Sequence, residues 1–439
     1  MKKVLIVTYY WPPAGGPGVQ RILKFVKYLP AFGWQPVVMT VASGEYPALD
    51  PTLQKEVPSN CRVYRIRHLE PGHAFRKFVG MPADSRIQVG VLAEKPENWK
   101  KRLAFWIRAN LFIPDAKIGW WPFAVQEGRK IIRRERPQLI FSTSPPPTVH
   151  LIARTLSRTT GLKWVADFRD PWTEIHYYEH QKRLPMARAL DGWLEQRVLR
   201  EADRLTFVSR LDIEHSFVQR VDPSKCQYLP NGYDETDFDK ISLSSTHAHR
   251  FILMHIGAVG IERNPLPLFR VLRQLMGQHY INPENFRLVF VGTVAESVRQ
   301  GIRETGIESL VEFVSYLPHR QALQQAARAT ALLLLITQSR QNQRILPGKT
   351  FEYIRLGKPI LALGPPDGEV DRILRELHVG RVLAYEDTAA IGNTLKGWLE
   401  QWQQGVLLPT GKGGSVQKFS RKALTRQLAH LFNQLVSSG

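Results

Sequence analysis

The stretch YYWPPAGGPGVQRI, Tyr9 to Ile22, crowds glycine and proline behind the apolar run Val4 to Val7 and passes at once into a helical pattern. Gly15 and Gly16 let backbone approach a ligand closely, and a helix opening near Val19 offers free N–H groups and the positive end of its dipole. That chemistry suits a phosphate. The same residues also suit a tight turn that holds nothing, since such turns serve structural roles as well. A dinucleotide fingerprint is not met: its third glycine position is Arg21, and no acidic residue closes the strand at Met39 to Val41 to hold a ribose.

Three other groupings invite chemistry. HYYEH, His176 to His180, has the H-x-x-E-H spacing that puts two imidazoles on one helix face. It lies in a tyrosine-rich segment just after Pro171 and Trp172, and no metal is expected there. GKT, Gly348 to Thr350, ends like a P-loop, yet the glycine required earlier is Gln343 and no strand precedes it at the right distance, so ATP hydrolysis is not expected. His150, inside the apolar helical stretch Val149 to Ala153, reads as a packed core histidine.

The elements that must position these residues alternate regularly. Val4 to Tyr9 reads as a buried strand, Val19, Ile22, Leu23, Val26 and Leu29 fall at helical spacing, Gly33 ends that helix, and Pro36 to Val41 is the next strand. This is a βαβ unit and predicts a parallel sheet. PQLIFSTS, KWVADF and RLTFVS continue the series. A polar, aperiodic stretch at 241–249 reads as a linker. A second series then runs FILMHIG, RLVFVG, VEFVSY, ALLLLIT and PILALG, and a helical tail follows a glycine-rich break near Gly411. The expectation is an α/β chain of two Rossmann-like doubly wound domains: residues 1–240, a linker at 241–249, residues 250–415, and a C-terminal helix in 416–439 that packs back on the first domain. Open sheets of this kind bind ligands at the carboxyl ends of their strands, and a cleft between the two domains is expected.

Composition sets the outer limits. The 439 residues are 43% hydrophobic and 23% charged, ordinary globular material. A formal charge of +21, from 60 Lys and Arg against 39 Asp and Glu, favours an anionic partner such as phosphate, nucleic acid or acidic lipid. Cys61 and Cys226 are far apart, which suggests neither a disulfide framework nor a thiolate metal site and fits a reducing cytoplasm. The apolar start breaks at Pro12 and Pro13, far short of the roughly 20 residues that span a bilayer.

The opening segment VLIVTYYWPPAGGPGVQRILKFVKYLPAFGWQPVVMT resembles the amino terminus of the family 4 glycosyltransferases of GT-B fold. Further landmarks follow in order: PDAKIGWWPFA, STSPPPTVHL, VADFRDPW, LPNGYD, GAVGIERNP and PGKTFEYIRLGKPILAL. The resemblance spans essentially the whole chain and rests on that order. It implies transfer of a sugar from a nucleotide diphosphate-sugar, usually with retained anomeric configuration and no dedicated protein base. Negative charge on the departing diphosphate must be stabilised, and fixed cations and helix amino termini do this in the family without a metal.

The resemblance also places residues. Gly15 and Gly16 would face the diphosphate, and Gly257 opens the matching loop of the second domain. The two cations usual after the first strand of that domain correspond to Ala258 and Arg263, so one is missing. Lys349, at the start of a helix near Thr350, is a substitute, although a surface lysine would look the same, and Thr350 would join it in contacting the donor. Glu352 matches the second glutamate of the family's pair and would accept hydrogen bonds from ribose hydroxyls, unless it is an ordinary helix glutamate. The first of the pair is Arg344 here, a cation that would favour an acidic or otherwise unusual sugar. Arg169 and Asp170 would lie at the rim of the first sheet on the acceptor side, with Asp170 orienting the acceptor hydroxyl or stabilising positive charge, or else capping the next turn or pairing with Arg169.

Between Lys95 and Arg136 the sequence holds eleven Lys and Arg against four acids, with Trp99, Phe105, Trp106, Leu111 and Phe112 among them. Such a segment lies on an anionic membrane surface or folds into the first domain as a solvated helix. No nucleic-acid motif accompanies it, and no nucleic-acid partner is expected. The reading is a cytoplasmic enzyme, peripheral on the inner face of the plasma membrane, that uses a nucleotide-sugar and a glycan or lipid-linked acceptor. It works without cofactor or metal, in cell-surface polysaccharide or lipopolysaccharide synthesis. The competing reading is a non-catalytic binding protein with the same fold.

Overall fold

The computed structural model describes residues 1–46, 48–68, 99–175, 183–239, 241, 249–339, 341–406 and 416–437. The chain forms two compact units, residues 1–230 with 421–439, and residues 231–420. In the first unit the elements run β1 (Lys2–Val7), α1 (Pro17–Tyr28), β2 (Trp34–Val41), β3 (Arg62–Ile66), α2 (Trp99–Leu111), α3 (Trp121–Glu135), β4 (Leu139–Ser144), α4 (Thr148–Thr160), β5 (Lys163–Phe168), α5 (Pro185–Glu201), β6 (Arg204–Phe207) and β7 (Cys226–Tyr228). The strands pair in parallel in the order β3-β2-β1-β4-β5-β6-β7.

This arrangement follows from the apolar runs. Val4 to Val7 are all fully buried, as a central parallel strand with both faces covered must be. Leu5, Val7, Val37 and Met39 join one core layer with α3 and α4, while Val4, Ile6 and Val38 join another with α1. The sheet order reverses between β1 and β4, and side chains that follow those strands gather at one edge.

The second unit repeats the logic with β8 (Phe251–Ile256), α6 (Leu266–Gly277), β9 (Phe286–Val291), α7 (Glu296–Thr305), β10 (Val311–Val314), α8 (His319–Arg328), β11 (Ala331–Leu335), α9 (Lys349–Leu356), β12 (Ile360–Leu363), α10 (Glu369–Glu376), β13 (Val382–Leu383) and α11 (Thr388–Gln403). Its parallel sheet is ordered β10-β9-β8-β11-β12-β13, with the reversal between β8 and β11. The final helix, α12 (Arg421–Ser437), belongs to the first unit. It lies beside α1, where Phe432 meets Trp34 at 5.3 Å and Phe141 at 5.7 Å.

The first unit ends at Pro230, ten residues ahead of the expected boundary at 240, and most of the expected linker lies outside the described residues. Residues 416–420 stay with the second unit, so only the helix itself returns. Three strands had no expectation behind them. β3 is a half-exposed edge strand, and β7 and β13 are only three and two residues long.

Arg21, which denied the loop its third glycine, is fully buried. Its Nε and Nη2 donate to the two carboxylate oxygens of Asp167 at 3.1 and 2.8 Å, and Nη1 and Nη2 also donate to the carbonyls of Pro230 and Leu229 at 2.8 Å each. Asp167 accepts further bonds from Thr143 at 2.7 Å and Thr206 at 2.6 Å. Burial alone would raise its pKa, but the Arg21 charge and these hydrogen bonds hold it below the usual value. One ion pair thus ties α1, β4, β5, β6 and the end of the unit together.

Removing one partner leaves the other charge buried and unpaired. Asp167→Ala is expected to cost about 3–5 kcal/mol in urea unfolding; a loss below about 1 kcal/mol would show that the pair is not structural.

Candidate functional site

In the second unit the candidate residues collect where the sheet order reverses. After β8 the chain turns through Gly257, whose φ of 111° favours glycine, and a Cβ there would stand 2.6 Å from the Lys349 amine. The backbone conformation favours glycine at this point, and a side chain there would displace the Lys349 amine. Lys349 opens α9, whose N-cap is Gly348 with no side-chain cap, and its Nζ donates to the Ile256 carbonyl at 2.5 Å. Tyr353, one turn on, accepts the Ile256 amide at 2.9 Å. Two residues of α9 therefore hold both backbone polar groups of the last residue of β8, Ile256.

His255 lies directly behind. It is fully buried, with Nδ1 2.9 Å from the Leu333 carbonyl and Nε2 3.4 Å from Lys349 Nζ. A carbonyl can only accept, so Nδ1 carries the proton and Nε2 faces the lysine as an acceptor. Burial, reinforced by the Lys349 charge, keeps this imidazole neutral. Burial also lowers the Lys349 amine to about 7, with Arg263 acting in the same direction and Glu352 opposing. Arg263 closes the short turn after β8, and its Nε donates to Thr337, just past β11, at 2.9 Å. Two cations from opposite sides of the strand reversal are thus held near one another, a costly arrangement unless an anion joins them.

Glu352 sits one turn into α9 and pairs with His319 at 2.8 Å. Thr350 is fully buried with its hydroxyl unpartnered, and its amide donates to Pro347, so the donor contact expected of it has no open face in this structure. Ala258 is exposed, and Arg344 ends a short turn, Asn342–Arg344.

In the first unit, Gly16 is the N-cap of α1 with φ 98°, and no atom lies within 4 Å of where its Cβ would be, whereas Gly15 packs against Asp50. Arg169, just past β5, donates through Nε to the Ser144 carbonyl at 2.6 Å and through Nη2 to that of Pro145 at 3.0 Å. A Cβ at position 18 would collide with its Nη1, so the guanidinium rests on the first turn of α1. Asp170 beside it is exposed and adds its negative charge to the field at Tyr10 and Arg169. Gly16, Arg169 and Asp170 therefore share the carboxyl edge of the first sheet.

The remaining candidates have structural surroundings. His150 is fully buried, with Nδ1 2.8 Å from Ser142 Oγ, and burial lowers its pKa to about 3. HYYEH lies outside the described residues, and among the described residues no group of His, Cys, Asp or Glu could hold a metal ion. No helix among them is long and apolar enough to cross a membrane. Asp115, within PDAKIGWWPFA, caps α4 from a distance by accepting from the Thr148 amide at 2.8 Å and hydroxyl at 2.9 Å. His255, Tyr353 and Thr337 were not anticipated. For His255 a signal existed, since it is the one polar letter in FILMHIG.

Residues 15–232 match the glycosyl transferase 4-like domain family. Among solved structures, the chain is similar to HepE of Anabaena in complex with UDP and glucose, at 14% identity over 99% of this chain and 100% of that one, with a TM-score of 0.61. It is also similar to sucrose-phosphate synthase of Thermosynechococcus elongatus, at 15% identity over 100% of each chain and a TM-score of 0.62. A third likeness is to the lipopolysaccharide outer core galactosyltransferase WaaB in its apo form, at 14% identity over 99% of this chain and 100% of that one, with a TM-score of 0.56. At this identity the likenesses establish the GT-B fold. No curated protein matches the chain in sequence.

The lowered Lys349 amine makes anion binding a proton-linked event. With a pKa of about 7 it is mostly neutral at pH 8, and a pyrophosphate group beside it would raise that value, so UDP or pyrophosphate binding should draw in close to one proton at pH 8 and almost none at pH 6. Calorimetry in buffers of different ionisation enthalpy reads this directly; uptake that persists in Lys349→Met would assign the proton elsewhere.

Proposed function

Carrying a glycosyl transferase 4-like domain over residues 15–232, the chain belongs to the family 4 glycosyltransferases, and from that premise we propose that it moves a sugar from a nucleotide diphosphate-sugar to a glycan or lipid-linked acceptor, with retention of configuration, in cell-surface polysaccharide synthesis. The observation that carries this reading is the pair of cations Arg263 and Lys349 at the strand reversal of the second sheet. As the bond from sugar to diphosphate breaks, the departing oxygens gain charge, and preformed cations stabilise that charge without reorganising. This fits a metal-independent transferase.

In this reading Gly257 lets the diphosphate approach backbone, Arg263 and Lys349 neutralise it, and α9 directs its positive end toward it. Glu352 exchanges its His319 partner for the ribose hydroxyls. Gly15 and Gly16 offer amides at the start of α1, while Asp170 orients the acceptor or stabilises the cationic sugar, with Arg169 beside it. The Anabaena and lipopolysaccharide neighbours are consistent with a hexose donor and a surface-glycan product, and the basic, tryptophan-bearing α2 is consistent with work at the inner face of the plasma membrane. The second reading, a non-catalytic sugar-nucleotide binder, draws on Ala258 and Arg344 standing where the family carries an arginine and a glutamate.

Transfer or donor hydrolysis measured in EDTA separates the two. Arg263→Ala and Glu352→Ala should each lower kcat/KM by about 100-fold or more while the chain stays folded; binding of nucleotide-sugar without turnover under any donor would favour the binder. Arg344→Ala should shift preference within a donor panel, away from acidic or unusual sugars, and an unchanged ranking would remove Arg344 from sugar recognition.

A further inference from the structure

Surface helices turn apolar residues inward and polar ones outward. α2 and α5 depart from this pattern by also exposing large apolar residues. On α2, Trp99, Leu103 and Trp106, spaced as successive turns of one stripe, are exposed, while Ala104 and Asn110 are buried. On α5, Met186, Leu190 and Trp193 form the same kind of stripe, with Met186 80% and Trp193 51% exposed. The buried side of α5 carries two carboxylates, Asp191 and Glu195, among the apolar Ala187, Val198 and Leu199.

The two helices are joined end to end by polar bonds. Asn110 accepts the Leu184 amide at 2.6 Å, and Arg183 donates to the Ala109 carbonyl at 3.2 Å. Exposed Leu111 and Leu184 stand on either side of this joint.

The charges on these helices are sorted in the same sense. α2 contains no acidic residue, and Lys100 and Arg102 are exposed beside its apolar stripe. On α5, Arg188 and Arg197 are exposed, with Arg197 stacked on the Trp193 ring at 5.0 Å. The acids of α5 are all engaged inside or at its end: Asp191 with Arg183 at 2.7 Å, Glu195 with Arg220, and Glu201 with Arg154. An exposed tryptophan and leucine surface, on helices whose exposed charges among the described residues are all cations, complements an anionic bilayer, whose interface accepts indole rings and whose headgroups attract basic side chains.

We propose that α2 and α5 together form a membrane-docking face that seats in the interface of an anionic lipid bilayer. This deepens the membrane part of the proposed function and adds α5, which lies outside the basic tract of 95–136. The inner carboxylates give the face a second property. Asp191 accepts the Trp172 indole N–H at 2.7 Å, and Glu195 accepts the Thr173 hydroxyl at 2.7 Å, so α5 is bonded to the segment that carries Arg169 and Asp170. Docking therefore holds the acceptor-side rim at a fixed place relative to the lipid surface.

Flotation of the purified full chain tests this without donor or acceptor, so its outcome is independent of whether the chain transfers sugar. Vesicles of phosphatidylglycerol with phosphatidylcholine should bind the chain at low salt, and phosphatidylcholine alone should bind it far less. Leu190→Gln with Trp193→Gln should weaken binding about tenfold or more, as should Trp99→Gln with Trp106→Gln, whereas Tyr316→Gln, an exposed aromatic on the second unit, should not. Thermal melting confirms that these surface variants fold, and Trp193→Gln alone, with a smaller loss, serves if a double variant does not. Undiminished binding by the α5 variants would overturn the proposal. So would absence of binding to anionic vesicles, or a lipid-free dimer in sedimentation velocity that the α5 variant dissociates, which would make the face a contact between copies.

Discussion

The first unit is organised around a charge pair taken wholly out of water. A guanidinium and a carboxylate in such a place are tolerable only when every hydrogen-bonding group is used, and Arg21 and Asp167 come close to that limit. The pair sets where the opening helix stands on the sheet, because Arg21 cannot leave Asp167 without stranding it. The glycine loop ahead of α1 and the Arg169 turn behind β5 inherit their positions from it. Both flank elements that the pair connects.

The second unit solves a related problem differently. Its cations are only half-buried and lack a full set of carboxylate partners, so they are ordered by neutral groups: the Ile256 carbonyl and His255 for Lys349, and Thr337 for Arg263. A buried imidazole held to one tautomer by Leu333 presents a lone pair where a second positive charge would be intolerable. The tyrosine one turn along α9 secures the amide of the same residue, Ile256. Neutral scaffolding of this kind leaves the positive charge unspent.

Much of the architecture was legible because parallel strands buried on both faces appear as unbroken apolar runs, and glycines marked where they end. VLIV, KWVADF and ALLLLIT needed no tertiary knowledge. β3 escaped because an edge strand with the letters RVYRI has neither an apolar run nor a clean alternation, and β13 is too short to have any period. At the site, Gly257, Arg263 and Lys349 stood out through motif order, whereas His255, Tyr353 and Thr337 become neighbours only when α9 packs across two strand ends. Arg21 was noticed as a departure from a glycine pattern, but its partner lies 146 residues away, and nothing local announces such a pairing. The two carboxylates buried on α5 were hidden for a similar reason: Asp191 and Glu195 look like solvent-facing residues until Trp172, Thr173, Arg183 and Arg220 are seen to claim them.

The close seat of Arg169 on Gly18 means that the glycine-rich loop and the β5 turn cannot vary independently. A side chain at position 18, even a methyl group, would collide with the guanidinium that donates to the carbonyls of Ser144 and Pro145 and would make it shift. A lesion in the opening loop would then surface at the turn after β5, four strands later in the chain, and relatives that lack this glycine would need another way of steadying that turn.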